Sequence, residues 1–126
     1  TNMSQIPDGS IPSLSSFHAI EHFGLGRYGD VVNPLAHQIA INEMKRIVSA
    51  NGNIYFGTPI GRQRVEFNAH RIFDPMEIVK LFNGFELIEF SVIDDDDVFR
   101  EKVEVQNYGH LTYGCGLFHF KKIEAA

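Results

Sequence analysis

Residues 18–22, with the sequence HAIEH, are the densest group of side chains in this chain that could carry out chemistry. The pattern H-x-x-E-H is typical of the inverted zinc proteases, in which two histidines on one face of a helix bind the metal. Here the segment follows SLSSF, which favours a strand, and Gly24 and Gly26 come soon after it. Because a helix would end there after about one turn, the sequence disfavours zinc hydrolysis and predicts no metal site.

Three glycines, Gly24, Gly26 and Gly29, form a second motif, G-x-G-x-x-G. Dinucleotide-binding proteins use such glycines to bring backbone N–H groups against a pyrophosphate. That fingerprint also requires an acidic residue about 20 residues further on, at the end of the next strand. Residues 49–53 are SANGN and contain no acid, so a dinucleotide site is the less favoured interpretation.

The composition is that of a soluble globular domain, with 44% hydrophobic and 21% charged residues among 126. The net charge of −5 disfavours a nucleic-acid-binding surface, and the apolar runs are much shorter than the ~18 residues of a membrane span. The single cysteine, Cys115, excludes an internal disulfide, and its apolar surroundings favour a buried thiol over a nucleophile. We expect a single cytoplasmic domain over residues 1–126 that contacts neither nucleic acid nor membrane.

The first half of the chain predicts a strand, a helix and a second strand. Residues 13–20 are apolar enough for a short buried strand. Asn33 and Pro34 suit the cap and the first position of a helix, whose apolar residues (Leu35, Ile39, Ala40, Met44, Ile47 and Val48) recur at helical spacing. Residues 51 and 52, Asn-Gly, tolerate a left-handed backbone and are expected to end that helix. A strand then covers residues 53–59, where Pro59 stops it.

A second helix has clearer signals for where it begins and ends. Asp74 can cap it, Pro75 suits its first position, and Glu77 stands third, as in a capping box. Gly84 is expected to end it. Residues 58–62, at the end of the second strand, are interpreted as the start of the loop by which the chain leaves that strand.

The second half predicts two further strands, over residues 85–93 and 114–123. Between them, residues 94–97 are four aspartates, which we interpret as a solvated loop because four like charges resist burial. The run lacks the alternating ligands and central glycine of a calcium loop. Strands that alternate with helices predict an α/β sheet with parallel neighbours.

The residues 14–22, LSSFHAIEH, resemble the fourth strand of the class I methyltransferases that use S-adenosylmethionine, where a strand ends in a hydrophobe, Glu and His. In that family a helix follows, and then an Arg-containing, glycine-containing segment leads into a strand that ends in Pro. This chain has Arg46, Gly52 and Pro59 in that order. The later family features occur here as His70, Arg71, Phe73, Gly84 and Phe85.

The resemblance implies an α/β fold that is the C-terminal half of a Rossmann-like class I methyltransferase, with a mixed sheet of about four strands and two main helices. The glycine-rich, cofactor-binding half of the family fold is absent from the sequence. We therefore expect this chain alone to bind S-adenosylmethionine weakly or not at all. The strand at residues 13–20 would lose its outer neighbour, and unpaired edges invite association. We expect a homo-oligomer formed through this strand edge or an exposed apolar face.

The resemblance also implies the roles of particular residues, since ligands bind outside the carboxyl ends of parallel strands. One of the two histidines, His22 or His18, would act as a base, oriented by Glu21. The cofactor would contact Asn2, Met3 and His18. The methyl acceptor would be lined by Tyr28, Asp30, Asn68, His70 and Arg71.

Structural interpretations of the same residues stay open. Glu21 and His22 could pair with each other and cap the loop. Arg71 could be a structural partner of Asp30 or Asp74. His37, on the first helix, and His119, on the last strand, are interpreted as structural or exposed.

Two functions from different classes follow. The favoured one is an S-adenosylmethionine-dependent methyltransferase whose acceptor is a small molecule or a saccharide, inactive as this chain alone. The alternative is a non-catalytic structural or interaction domain that keeps the methyltransferase-like fold.

Overall fold

The structure of the chain is a computed structural model that describes residues 5–17, 36–65 and 71–123. The elements within these ranges are, in chain order, β1 (Ile11–Phe17), α1 (Ala36–Ile47), β2 (Val48–Ile60), β3 (Arg64–Val65), β4 (Arg71–Ile72), α2 (Pro75–Leu81), β5 (Phe85–Ile93), β6 (Phe99–Arg100), a 3-10 turn (Val105–Asn107) and β7 (Gly114–Lys122).

Five of the strands form one mixed sheet in the order β1-β2-β7-β5-β6. β1 and β2 are parallel, whereas β7 runs antiparallel to both of its neighbours, β2 and β5. The predicted α/β fold with a mixed sheet and two main helices is confirmed, with five strands rather than about four. The extra strand is β6, a two-residue strand paired with the end of β5, which is too short to give a sequence pattern. β3 and β4 form a separate antiparallel ribbon.

Both helices pack on one face of the sheet, and the core lies between the helices and this face. Alternate residues of β2 and β7 point into it, including Phe56 and Phe120, which are fully buried. Phe82, at the end of α2, stacks on Phe120 with ring centroids 4.4 Å apart and meets Phe56 edge-on at 5.3 Å. This aromatic cluster anchors α2 to the middle of the sheet. No helix in the described ranges has the length and apolar character needed to cross a membrane.

The cap, the first-position proline and the terminal glycine predicted for α2 are confirmed, whereas the backbone N–H of Asp74 donates to Gln63 Oε1 and not to Glu77, as a capping box would require. Asp74 is the cap, and its carboxylate accepts a hydrogen bond from the N–H of Met76 at 2.9 Å. Pro75 occupies the first helical position. Gly84 has a φ of +87°, the left-handed backbone that ends a helix and that glycine adopts at no steric cost. β5 then begins at Phe85, as predicted.

The predicted junction between α1 and β2 is wrong. The helix ends at Ile47 and β2 begins at Val48, so Asn51 and Gly52 lie inside the strand. The pairing of β1 with β2 jumps between Ile11 and Ser13, which leaves extra residues on β2 as a bulge. Asn51 has a φ of +60°, and this left-handed residue serves the bulge instead of a helix end. The pair Asn-Gly has the same backbone preference in both settings, so its identity alone could not separate them.

The buried face of α1 also differs from the predicted one. Ile39, assigned to the apolar stripe by its spacing, is 55% exposed. Ala40, Met44 and Ile47 of the predicted stripe are buried, and His37 and Ile41 complete the face of α1 that packs against the core.

The acidic run at residues 94–97 is only partly the solvated loop that was predicted. Asp94 is only 9% exposed, because its carboxylate accepts hydrogen bonds from the N–H of Val98 at 3.1 Å and from Nε of Arg100 at 2.6 Å. Asp95 accepts the N–H groups of Thr112 and Tyr113 at 2.9 and 2.8 Å. Asp94 therefore organises the turn between β5 and β6, and Asp95 ties that turn to the segment that precedes β7.

Candidate functional site

Most of the residues assigned to a site from the sequence lie outside the described part of the chain. Arg71, on β4, is the member of that set which the structure places. The others fall in the undescribed ranges: Asn2, Met3, His18, Glu21, His22, Tyr28, Asp30, Asn68 and His70.

The ribbon formed by β3 and β4 is attached to the end of β2. The N–H of Phe73 donates to the carbonyl of Pro59 at 3.2 Å, and the N–H of Gly61 donates to the carbonyl of Phe73 at 2.9 Å. β7 occupies the other edge of β2 as far as Ile60. Phe73 therefore continues the edge of β2 that β1 covers up to Phe17, and the ribbon lies at the carboxyl end of β1.

Arg71 is buried in this position, with 6% of its surface exposed. Burial lowers the pKa of its guanidinium below the ordinary value, because the charged form loses solvation. The pKa of arginine starts so high that the group remains a cation near neutral pH. The side chain borders a cavity of about 210 Å³, which we call the basic cavity, lined by His37, Gln63, Arg64, Arg71, Ile72 and Phe73.

His37 brings the first turn of α1 to the same cavity. It is 9% exposed, and its ring lies against Phe73 with centroids 5.4 Å apart. The sequence interpretation of His37 as structural or exposed did not include a place in a cavity. Two signals could have shown it: His37 falls on the stripe of Ala40, Ile41 and Met44, and a helix that follows a parallel strand begins at the strand's carboxyl end.

Two further polar residues of the cavity are fixed by hydrogen bonds. Arg64 donates to the carbonyl of Arg62 at 2.9 Å and to the carbonyl of Thr112 at 2.5 Å. The side-chain oxygen of Gln63 accepts the N–H of Asp74 at 2.9 Å. The described lining therefore combines two guanidinium groups and an imidazole, and it contains no carboxylate.

The described residues of the basic cavity do not by themselves form a site for S-adenosylmethionine. Pockets for ligands of that size span about 300–1,000 Å³, whereas the basic cavity measures about 210 Å³. Its cationic lining is also unsuited to a positively charged sulfonium. The residues that the sequence assigns to the cofactor, Asn2, Met3 and His18, lie outside the described ranges.

A second concavity lies on the sheet face opposite the helices. It measures about 410 Å³, and we call this surface the open face, with a lining that includes Phe17, Tyr55, Glu89, Ser91, Phe99, Glu101, Leu117 and His119. Phe17 and Phe99 are 53% and 56% exposed. Gly57 allows the Phe17 ring to lie on β2, since a Cβ there would be 2.5 Å from Phe17 Cδ1.

His119 has a structural place on the open face, as the sequence interpretation allowed. Its ring stacks on Tyr55 with centroids 4.4 Å apart, and Nε2 lies 2.9 Å from Asn53 Oδ1. Cys115, on the same strand, is half-buried rather than fully buried. Within the described ranges no three His, Cys, Asp or Glu side chains lie close enough together to hold a metal ion, and residues 18–22 fall outside those ranges.

Two solved structures share this fold at low sequence identity. The (4+2)-cyclase SpnF is 13% identical, with a TM-score of 0.64 over 96% of this chain and 53% of its own. A protein described as a type 11 methyltransferase from Sulfolobus solfataricus is 15% identical, with a TM-score of 0.53 over 100% of this chain and 59% of its own. The chain thus has the fold of part of a methyltransferase-fold protein and spans little more than half of these structures.

Two sequence comparisons complete the placement. The formate dehydrogenase subunit alpha of Megalodesulfovibrio gigas is 29% identical in an alignment 98 residues long, and the alignment covers 71% of this chain and 9% of that protein. Residues 8–111 match the model of a family described as "Caenorhabditis protein of unknown function, DUF268". Because this match covers most of the sequence, the chain belongs to the DUF268 family.

Proposed function

We propose that this chain is the acceptor-binding side of an S-adenosylmethionine-dependent methyltransferase that acts on a small molecule or a saccharide. One observation carries the proposal: a polar cavity opens at the carboxyl end of β1, in a chain whose whole length matches methyltransferase-fold structures. Ligands of open α/β sheets bind outside the carboxyl ends of the strands. The basic cavity is therefore where this fold would receive an acceptor.

The residues proposed for the chemistry follow β1 directly in the sequence. β1 is described as far as Phe17, and His18, Glu21 and His22 come next. In the proposal, His22 removes the proton of the acceptor and Glu21 orients the imidazole. Arg71 holds the acceptor, and Tyr28, Asp30, Asn68 and His70 complete its surroundings.

The cofactor enters the proposal through residues that the structure does not describe. Asn2, Met3 and His18 are proposed to contact S-adenosylmethionine, which would supply the methyl group. The role of the described residues is limited to holding and orienting the acceptor, since orientation alone can contribute several kcal/mol to a reaction barrier.

The proposal is tested by calorimetric titration of S-adenosylmethionine into the natural full-length protein, together with its thermal unfolding. We expect saturable heat and a rise in melting temperature for that protein, and weak or no binding for residues 1–126 alone. Absence of both effects in the full-length protein would overturn the proposal.

A second candidate is a non-catalytic interaction domain, and the open face favours it. Large apolar side chains that are exposed together on one surface can mark a site of protein–protein contact. In the described part of the chain, Phe17 on the edge strand β1 and Phe99 on the opposite edge strand β6 are both exposed on this surface. We propose that this surface mediates self-association, which would occur with or without catalysis. Full-length protein that associates but binds no S-adenosylmethionine would favour this candidate.

A further inference from the structure

We propose that the concavity of the open face binds a small organic cation, an ammonium ion that carries apolar groups. Exposed aromatic rings and two carboxylates border this concavity, and its described lining contains no lysine or arginine. The proposal does not rest on the methyltransferase function. It concerns the surface that the second candidate assigns to another copy of the chain, so the ligand and that copy would compete for it.

The apolar part of the site is a row of residues that stand side by side on neighbouring strands. Phe17 pairs with Gly57, Gly57 with Leu117, and Leu117 with Ser91. The Phe17 ring lies over Gly57, where Leu117 also approaches, and more than half of the Phe17 side chain stays exposed. Phe99, on β6, adds a second exposed ring to the same concavity. Aromatic rings attract cations to their faces, so these residues can receive the apolar groups of an ammonium ion.

The next row of the open face is polar and contains the first carboxylate. Tyr55 pairs with His119, and His119 pairs with Glu89. The His119 ring is engaged within the protein, because it stacks on Tyr55 and its Nε2 lies 2.9 Å from Asn53 Oδ1. Glu89 and Ser91 are two residues apart on β5, which corresponds to about 7 Å along a strand. The polar and apolar rows are therefore within reach of one small ligand.

Glu101 supplies the second carboxylate, and it is anchored on both sides. Arg100, before it, pairs with Val92 of β5. Lys102, after it, donates its backbone N–H to Ser91 Oγ at 3.2 Å. Glu101 is consequently held beside β5, where it borders the concavity.

The basic side chains nearest in sequence are directed to other places. Arg100 donates to Asp94 at 2.6 Å, and Lys102 borders a separate concavity that Glu89 also touches. The salt bridges in the described part of the chain are made by other carboxylates, those of Asp8, Glu43 and Asp94. The lining therefore carries a negative charge that a bound cation would neutralise.

The size and the mixed character of the site favour an organic cation over other ligands. The concavity measures about 410 Å³, within the range of about 300–1,000 Å³ of small-molecule sites. A hydrated metal ion would make no use of the exposed rings, and a neutral apolar molecule would make no use of the carboxylates. An ammonium ion with apolar groups interacts with both.

The test is an NMR titration of the ¹⁵N-labelled chain with tetramethylammonium chloride and, separately, with butylammonium chloride at constant ionic strength. The neutral molecules tert-butanol and butanol, which have closely similar shapes, are the control ligands. We expect saturable shifts of the amide signals of Tyr55, Ser91 and Leu117 with at least one cation, and none with the alcohols. Tetramethylammonium alone would assign a quaternary ion, butylammonium alone an ion that donates hydrogen bonds, and both an ammonium of either kind.

Four variants make the result specific. Glu89→Gln and Glu101→Gln should each weaken cation binding by about two- to fivefold, as expected for a partly exposed ion pair. Phe99→Ala should weaken it by a similar factor, since a cation–π contact is lost. Glu86→Gln removes an exposed carboxylate of β5 that lies outside the lining, so it should leave the affinity unchanged.

The proposal is overturned if neither cation gives saturable shifts or if the alcohols bind as well as the cations. It is also overturned if Glu86→Gln weakens binding as much as Glu89→Gln and Glu101→Gln, because the cation would then respond only to the overall charge of the chain. Phe99 and Glu101 are exposed, so their variants should fold and keep the comparison valid.

Discussion

His37 and Phe73 lie against each other with ring centroids 5.4 Å apart and planes tilted by 53°. This contact joins the first turn of α1 to the residue that hydrogen-bonds the end of β2. Arg71 stands two residues before Phe73, and both residues line the basic cavity. The basic cavity is built by two parts of the chain that are distant in sequence, the first turn of α1 and the ribbon of β3 and β4.

Phe73 should therefore matter both for stability and for the cavity. It is fully buried, and Phe73→Ala is expected to reduce the free energy of unfolding by about 3–5 kcal/mol, because a large cavity would remain. Phe73→Leu, which keeps much of the apolar volume, should cost less than about 2 kcal/mol. Urea denaturation measures both. A loss below about 1 kcal/mol for the alanine variant would contradict the packing described.

Gly61 and Gly84 both have a left-handed backbone, so comparing their alanine variants separates the cost of backbone strain from the cost of a steric clash. Gly61 has a φ of +155°, and a Cβ there would lie 2.4 Å from the carbonyl oxygen of Leu111. Gly84 has a φ of +87° with nothing within 4 Å of an added Cβ. Gly84→Ala should cost about 1–2 kcal/mol from backbone strain alone. Gly61→Ala should cost clearly more in the same denaturation experiment, and equal losses would disprove the close approach to Leu111.

The hydrogen bonds to Asp94 in the turn after β5 should make the stability of the fold depend on pH in the acidic range. The hydrogen bond from Arg100 is the main cause that lowers the pKa of the Asp94 carboxyl below its ordinary value of 3.8, and the N–H groups of Val98 and Asp96 add to it. A lowered pKa in the folded state stabilises the fold above the ordinary value, and this stabilisation is lost as the pH falls through the lowered one.

We therefore expect the free energy of unfolding to fall as the pH drops from about 5 to about 2. Asp94→Asn should make this fall smaller, whereas Asp97→Asn, at an exposed position, should leave it unchanged. Denaturation curves at several pH values measure the slope. The same slope in wild type and Asp94→Asn would contradict the assigned hydrogen bonds.

The open face and the edge of β1 predict association of the chain with itself. We expect a dimer in sedimentation velocity at micromolar concentration. Phe17→Glu and Phe99→Glu should shift it toward monomer, because each places a charge on the surface proposed to be buried. Met76→Glu, at an exposed site on α2, is the control and should leave the dimer intact. A stable wild-type monomer would refute the prediction.

Long elements with strong end signals were predictable from the sequence. α2 has a cap, a proline and a terminal glycine within about ten residues, and these local signals agree with its packing. β5 has the predicted limits, and β7 ends one residue earlier than predicted. The start of β2 was not predictable, because Asn51 and Gly52 suit a strand bulge as well as a helix end.

The candidate site was less accessible to prediction. Arg71 was identified through a motif, but its burial depends on the ribbon of β3 and β4, whose strands of two residues give no periodic signal. His37 was set aside because a lone histidine on a helix is usually structural. Its role emerges only when the strand order places the start of α1 beside Phe73.

The most direct test of the central claim is hydrogen–deuterium exchange of the natural full-length protein with and without S-adenosylmethionine. A methyltransferase site at the carboxyl end of β1 predicts slower exchange in peptides that contain Phe17 and His37. Peptides from the open face that contain Phe99 and His119 should exchange at the same rate in both samples. No protection anywhere, or protection confined to the open face, would contradict the account.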